Sequence, residues 1–204
     1  MHQQPYNHLN QQGNPQGNHG GHEMFDMHEV LACSINMLDQ FMILRQFVRD
    51  AELLNILDRQ YTFALSQYNL TVECFSTGQR PQQNTATYLI NEIVQPVYGM
   101  QQAPPKKPIQ SLSEISDAGI SASMLGLVKS HASLLTMSAL EVTNPAARRV
   151  LASQVQNFIE MAYELFMYQN RRKYYQVPQL ATSDMHLMSN AYAPQMANNN
   201  QPFN

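Results

Sequence analysis

The chain has 204 residues and a formal net charge of -3, from 12 Lys and Arg against 15 Asp and Glu, which argues against a general nucleic-acid binder working through a basic surface. Charged residues make up 13% of the chain, about half the usual ~25%, and Asn and Gln take their place, a balance suited to dense assembly. The length supports one good core or two small ones, and no uninterrupted apolar run approaches the ~20 residues of a membrane span, so none is expected.

Residues 1–22 (MHQQPYNHLNQQGNPQGNHGGH) hold no Asp, Glu, Lys or Arg and almost no apolar side chain. Such a stretch cannot bury enough surface to offset the entropy of ordering, so residues 1–25 are expected to form a disordered tail. Its histidines His2, His8, His19 and His22 could hold a soft metal loosely, but a solvated tail is the simpler account. No lysine or arginine precedes Arg45, so no secretory signal with a basic start is expected.

From residue 26 a helical period sets in. Leu31, Ile35, Leu38, Met42 and Val48 fall at mainly three- and four-residue steps, as do Leu54, Leu57, Tyr61, Leu65, Tyr68, Val72 and Phe75. Between them Asp50 is suited to cap the second helix, with Glu52 in its first turn. Residues 26–75 therefore read as a helical hairpin. A long connection follows over residues 76–120, with one apolar piece (TYLINEIVQPVY) and a Pro-rich stretch (QQAPPKKPIQ).

Residues 121–176 repeat the hairpin pattern. Met124, Val128, His131, Leu135, Ser138 and Val142 mark one stripe, and Leu151, Val155, Phe158, Ala162 and Leu165 the next. Asn144 stands at the cap and Pro145 at the first helical position, where its missing N–H costs nothing. A shift of 94 residues brings Asp50 onto Asn144, Val48 onto Val142, Leu57 onto Leu151 and Leu65 onto Ile159, which indicates an internal repeat. Two hairpins joined by a long crossover give an all-α, ferritin-like four-helix bundle. Residues 177–204 return to the polar character of the start and are expected to be a second disordered tail.

Metal-binding members of that architecture carry Glu-x-x-His on two helices, so that carboxylate and imidazole reach one ion from one face. No Glu-x-x-His occurs here, and no metal or other cofactor is expected. His131 lies on a core stripe, with Gln156 or Asn157 as the facing hydrogen-bond partners by counting from the turn. A buried, satisfied histidine is favoured over a ligand or a pH sensor. Glu141, one turn before the bend, is placed to pair with Arg148 and Arg149 across it. Arg171, Arg172 and Lys173 close the last helix, where cations complement the dipole. Cys33 and Cys74 are offset by ~10 Å along the hairpin at 1.5 Å per residue, so no intrachain disulfide is expected. No catalytic residue set is recognisable.

The pieces SMLGLVKSHASLLTMSALEVTNPAARRVL and QNFIEMAYELFMYQNRRKYYQ resemble the coat protein F family of bacterial endospores. The features that carry the resemblance are Lys129, the turn formed by Glu141, Asn144 and Pro145, Arg148 in the following turn, and the pair Tyr174 and Tyr175 past the last helix. Members of that family often end on a Gly-Trp-Tyr-like sequence, whereas this chain, which has no tryptophan, reads Lys-Tyr-Tyr-Gln. The resemblance implies a ferritin-like body made in the mother cell and laid onto the forespore, with no catalytic residues. The expected function is a non-enzymatic structural or assembly component of the spore coat. Its expected partners are other spore coat proteins and further copies of this chain, with the polar tails as adhesive arms. The alternative is a ferritin-like metalloprotein whose di-metal site is degenerate or absent.

Overall fold

The structure, a computed structural model, describes residues 20–90 and 95–195. Four long helices form the body: α1 (Gly21–Arg45), α2 (Ala51–Thr77), α3 (Asp117–Glu141) and α4 (Pro145–Arg171). A one-turn 3-10 segment at Leu112–Glu114 precedes α3, and a short helix α5 (Thr182–Ser189) follows the body. Among the described residues there is no strand, only an isolated parallel bridge between Tyr98 and Val177.

The caps lie where the sequence puts them. The Asp50 carboxylate accepts from the Glu52 and Leu53 N–H groups at 2.8 and 3.3 Å. The Asn144 side chain accepts from the Ala146 and Ala147 N–H groups at 2.8 and 3.1 Å, so the repeat-related caps make the same pair of bonds. Leu57 and Leu151 are both buried, while Leu65 and Ile159 are both exposed, so the 94-residue register holds outside the core as well as inside it. Asn144 also donates from its amide to the Gly78 carbonyl at 3.0 Å, joining the start of α4 to the end of α2. Asn144→Ala removes all three bonds and is expected to cost about 1–2 kcal/mol in a urea titration.

Helix α1 packs on α2 and α3, and α4 packs on the same two, which leaves α1 diagonal to α4 and α2 diagonal to α3. Because α2 and α3 run parallel across the diagonal, no short loop can join them, and the chain returns along the full length of the bundle. This is the ferritin-like connectivity. The core is filled by large side chains, among them Phe41, Met27, Leu57, Met124, Phe158 and Tyr168.

Three details differ from the sequence expectation. In α1 the inward residues are Met27, Val30, Ser34, Met37 and Phe41, whereas Ile35 and Met42 face solvent. Apolar side chains lie all round this helix, so periodicity alone selects the wrong frame; the same holds in α2, where Leu53, Ile56, Gln60, Ala64, Gln67 and Leu70 are buried with Leu57 while Leu65 faces solvent. Helix α1 also starts inside the segment expected to be disordered, and Glu23 there is buried. Its carboxylate accepts from Thr143 N (3.0 Å), Thr143 Oγ1 (2.5 Å) and Asn144 N (2.8 Å), which fixes the α1 start to the α3–α4 turn. Finally, α5 lies in the segment expected to be a disordered tail, with all its residues exposed. It is held by local terms only: Asp184 in its first turn and the Asn190 amide on the His186 carbonyl at 2.8 Å. Of the N-terminal histidines only His22 is among the described residues, exposed on α1; the expectation for His2, His8 and His19 lies outside them.

The described residues of the crossover next to α4 are pinned to it by side-chain amides. Asn157 accepts from Tyr88 N at 2.8 Å and donates to the Ala86 carbonyl at 2.9 Å. Asn170 does the same with both backbone groups of Val97, at 2.6 and 2.9 Å. Each carboxamide thus replaces one residue of a neighbouring strand and satisfies backbone groups that burial would otherwise strand.

Candidate interaction surface

The polar residues that the sequence singles out fall into three places. His131 is buried in the bundle with its ring centroid 4.5 Å from that of Phe158, edge to face. Its Nε2 lies 3.5 Å from the Ser34 hydroxyl, on α1, and its Nδ1 is buried with no partner among the described residues. Burial pushes its pKa down to about 4, so the ring is neutral. The expected partners on α4 are not used: Asn157 is committed to the crossover backbone, and Gln156 is exposed. The histidine is buried as expected but only half satisfied.

Glu141, Asn144, Pro145 and Arg148 sit at the α3–α4 turn. Asn144 and Pro145 start α4, and the Arg148 N–H makes the first bond of that helix to the Asn144 carbonyl at 3.0 Å. Glu141, Arg148 and Arg149 all face solvent, and no ion pair links them among the described residues. The turn is instead tied by Glu23 from the start of α1. No spacing within the hairpin could have shown that, because the partners are 120 residues apart.

The last helix ends differently from a simple dipole-complemented terminus. Arg171 pairs with Glu52, and Arg172 reaches both Asp50 (2.6 Å) and Glu52 (2.9 Å) at the start of α2. The Arg172 guanidinium also lies 4.2 Å from the Tyr168 ring centroid. Lys173 then adopts φ 61°, the left-handed region, and turns the chain back. The N–H groups of Tyr174 and Tyr175 close this turn on the Gln169 carbonyl at 2.8 and 3.2 Å.

That turn has a consequence on the surface. Tyr174 is tucked edge-on toward Tyr168, at 6.4 Å, while Tyr175 is laid outward against Phe166 at 5.3 Å. Tyr163 continues the row one turn earlier on α4, 5.9 Å from Phe166. From α3, the Lys129 ammonium sits 5.7 Å from the Tyr175 ring centroid. The structure therefore brings two of the singled-out residues, Lys129 and Tyr175, into contact although they are 46 positions apart (175 − 129). Phe166 and Tyr163 complete a ledge of three aromatic rings and one cation. Tyr163 and Tyr175 each keep 42% of their surface exposed. Sequence reading passed over Phe166 and Tyr163 because they stand on the outer face of a helix read only for its core stripe.

Aromatic rings, tyrosine above all, are the side chains enriched at the centres of protein interfaces, where they provide apolar area and specific hydrogen bonds together, while a lysine such as Lys129 belongs to the polar rim. Burying three such rings under a partner removes several hundred Å² from water, worth a few kcal/mol at ~25 cal/mol/Å².

Beneath the crossover lies a second polar cluster. Glu164 on α4 is buried and accepts from the Tyr88 hydroxyl at 2.5 Å, from Gln60 at 3.0 Å and from the Arg59 guanidinium. Burial first, and the Glu164 carboxylate second, raise the Tyr88 pKa far above the ordinary phenol value. Tyr88 therefore stays a proton donor. The one carboxylate of the described bundle interior near mid-length is thus saturated by donors. Among the described residues no group of three or more His, Cys, Asp or Glu is placed to hold a metal ion. Cys33 and Cys74 are free thiols; burial raises both pKa values, that of Cys74 to about 11. No helix among the described residues is long and apolar enough to cross a membrane.

Comparison with known proteins places these features. The Coat F domain model matches residues 116–178, a span that contains α3, α4 and every member of the aromatic ledge. The spore coat protein F-like protein YhcQ of Bacillus subtilis (strain 168) is 60% identical over 175 residues, covering 86% of this chain and 81% of its own length. The crystal structure of a candidate spore coat protein from Bacillus halodurans C-125 superposes with a TM-score of 0.58 at 15% identity, over 83% of this chain and 99% of its own. That likeness establishes the crossover bundle as a fold already seen by experiment.

Proposed function

Since the chain belongs to the spore coat protein F family, we propose that this component of the spore coat is non-enzymatic and works by protein–protein contact, with the Lys129–Tyr175–Phe166–Tyr163 ledge as a contact surface. The observation that carries this reading is the ledge itself: Tyr163 and Phe166 on the outer face of α4, with Tyr175 laid against them after the left-handed turn at Lys173, inside the matched domain. Other coat proteins are the partners of first choice, and a further copy of the chain is the second. Synthesis in the mother cell and deposition onto the forespore follow from the family. The remaining motif residues, Glu141, Asn144, Pro145, Arg148 and Tyr174, act structurally by positioning α4 and its end.

The double variant Tyr163→Ala/Tyr175→Ala tests this reading. Both side chains are half exposed, so the helical circular dichroism of the purified protein is expected to be unchanged. Its amount in the coat fraction of purified spores is expected to fall about tenfold relative to the parent, the loss associated with removing hot-spot aromatics. Full incorporation of the variant would remove the ledge from the assembly surface. For the metalloprotein alternative no observation speaks: Glu164 is consumed by Arg59, Gln60 and Tyr88. Stoichiometric iron or manganese in the purified protein would nonetheless establish it.

A further inference from the structure

The internal repeat creates two grooves on the bundle, and they differ in charge. The first is lined on α2 by Glu52, Asn55, Ile56 and Arg59. The second, of about 510 Å³, is lined on α4 by Ala146, Arg149, Val150 and Ser153, the same four positions advanced by 94. In the first groove every charge is answered within the chain: Arg171 pairs with Glu52, and Arg59 with Glu164. In the second, Ala146 stands where Glu52 does, and the crossover brings Arg80 to the rim. Among the described residues the Arg80 side chain bonds only the neutral Asn84 side chain, at 2.7 Å, and the Arg149 side chain has no hydrogen bond or ion pair. No Asp or Glu lines this groove. Glu73 of α2 accepts from the Gln82 N–H at 2.9 Å beside the rim and does not itself line the groove. The floor is apolar, with Pro81 and Val150 buried, and the Thr85 and Ser153 hydroxyls join across it at 2.9 Å.

We propose that this second groove receives an acidic peptide segment of a partner protein, whose Asp or Glu carboxylate takes the place between Arg80 and Arg149 that the first groove fills internally. Guanidinium forks match a carboxylate with two parallel hydrogen bonds, and the apolar floor takes the aliphatic stem of a glutamate. The volume suits a few side chains of an extended segment rather than a folded domain. The groove lies at the opposite end of α4 from the Tyr175 end of the ledge, so one coat component would offer two separate contacts. The proposal rests on the reading of the chain as a contact protein, and it fails separately from that reading.

Binding of a fluorescein-labelled Glu-rich decapeptide to the full chain, followed by anisotropy, tests it, with the matching Gln-rich peptide as control. The Glu peptide is expected to bind and to weaken as salt is raised from 0.05 to 0.5 M, as a screened contact must. Arg149→Gln is expected to weaken it about tenfold, and Ala146→Glu, which installs the internal carboxylate of the first groove, to abolish it. Lys107→Gln, on the exposed part of the crossover, is expected to leave binding within about twofold. Equal binding of the Gln peptide, or unchanged binding by Arg149→Gln and Ala146→Glu, overturns the proposal. Saturable binding of inorganic phosphate by calorimetry, with no binding of the Glu peptide, assigns the groove to a small anion and also overturns it. Normal coat incorporation of Tyr163→Ala/Tyr175→Ala bears on the ledge alone and leaves these outcomes as they stand.

Discussion

Glu164→Ala is expected to be the most damaging single substitution in this protein, lowering stability by about 3–5 kcal/mol in a denaturant titration. The loss comes less from the bonds deleted than from what they leave behind. Arg59 is only about a quarter exposed, and without Glu164 its guanidinium is a partly buried charge with no counter-ion. Tyr88, which is buried, loses its acceptor, and the buried Gln60 amide keeps only the Met161 carbonyl at 3.0 Å. Because Tyr88 belongs to the crossover, the segment 85–90 should lift from α4, which amide hydrogen exchange at Tyr88 would register as faster opening. Replacing Arg59 and Glu164 together by Met and Leu removes the charge and its partner at once. That double variant is expected to recover most of the loss. If Glu164→Ala cost less than about 1 kcal/mol, the cluster would be a solvated surface pair rather than the lock on the crossover.

A second large effect concerns acid. His131 is neutral in the folded bundle, with its pKa pushed by burial from 6.5 to about 4. Among the described residues no ion pair or charged hydrogen-bond partner reaches the ring, which faces Ser34 and Phe158. Above pH 6.5 both folded and unfolded chains carry the neutral ring, and its contribution is constant. As the pH falls from 6.5 toward 4 the unfolded chain takes up a proton that the folded one refuses. Stability then declines by about 1.4 kcal/mol per pH unit, about 3 kcal/mol in all, and levels off once the folded state protonates too. Urea midpoints at pH 7.5, 5.5 and 4.5 should show this fall. His131→Leu, which leaves the Ser34 hydroxyl on the Val30 carbonyl at 2.8 Å, should flatten the part of it between pH 6.5 and 4.5. An unchanged difference between parent and variant across that range would place the ring in contact with water.

Much of the fold was legible because the bundle depends on short-range signals. Asp50 and Asn144 are caps recognisable from residue type and neighbours, and Pro145 after Asn144 announces a helix start. The crossover connectivity followed from the 45-residue gap between hairpins, a matter of chain length alone (residues 76–120). What escaped was every contact made across a large separation by a side chain without periodic context. Glu23 looked like the edge of a polar tail, yet it holds Thr143 and Asn144. Tyr88 and Glu164 come from a loop and a helix whose relative register no local pattern encodes. Lys129 and Tyr175 were picked out together, but their contact depends on the left-handed turn at Lys173, a conformation that a lysine does not advertise. The ion pair expected between Glu141 and Arg148 or Arg149 failed for the opposite reason. Proximity in sequence was taken for proximity of charges, while the side chains point to solvent.

The crossover changes character along its length. Between Thr85 and Gln101 its described residues are bonded to α4 by Ser153, Asn157 and Asn170, and to Gln176 just past the end of α4. From residue 102 to 110 all side chains are exposed, and the recorded bond is that of Lys106 to the Tyr174 carbonyl at 3.3 Å. A chain held at both ends but idle between them is tolerant of added length, since doubling such a loop costs only about 0.6 kcal/mol in closure entropy. Residues 102–110 are thus the natural splice point of the molecule, where foreign sequence could be carried without disturbing the bundle beneath.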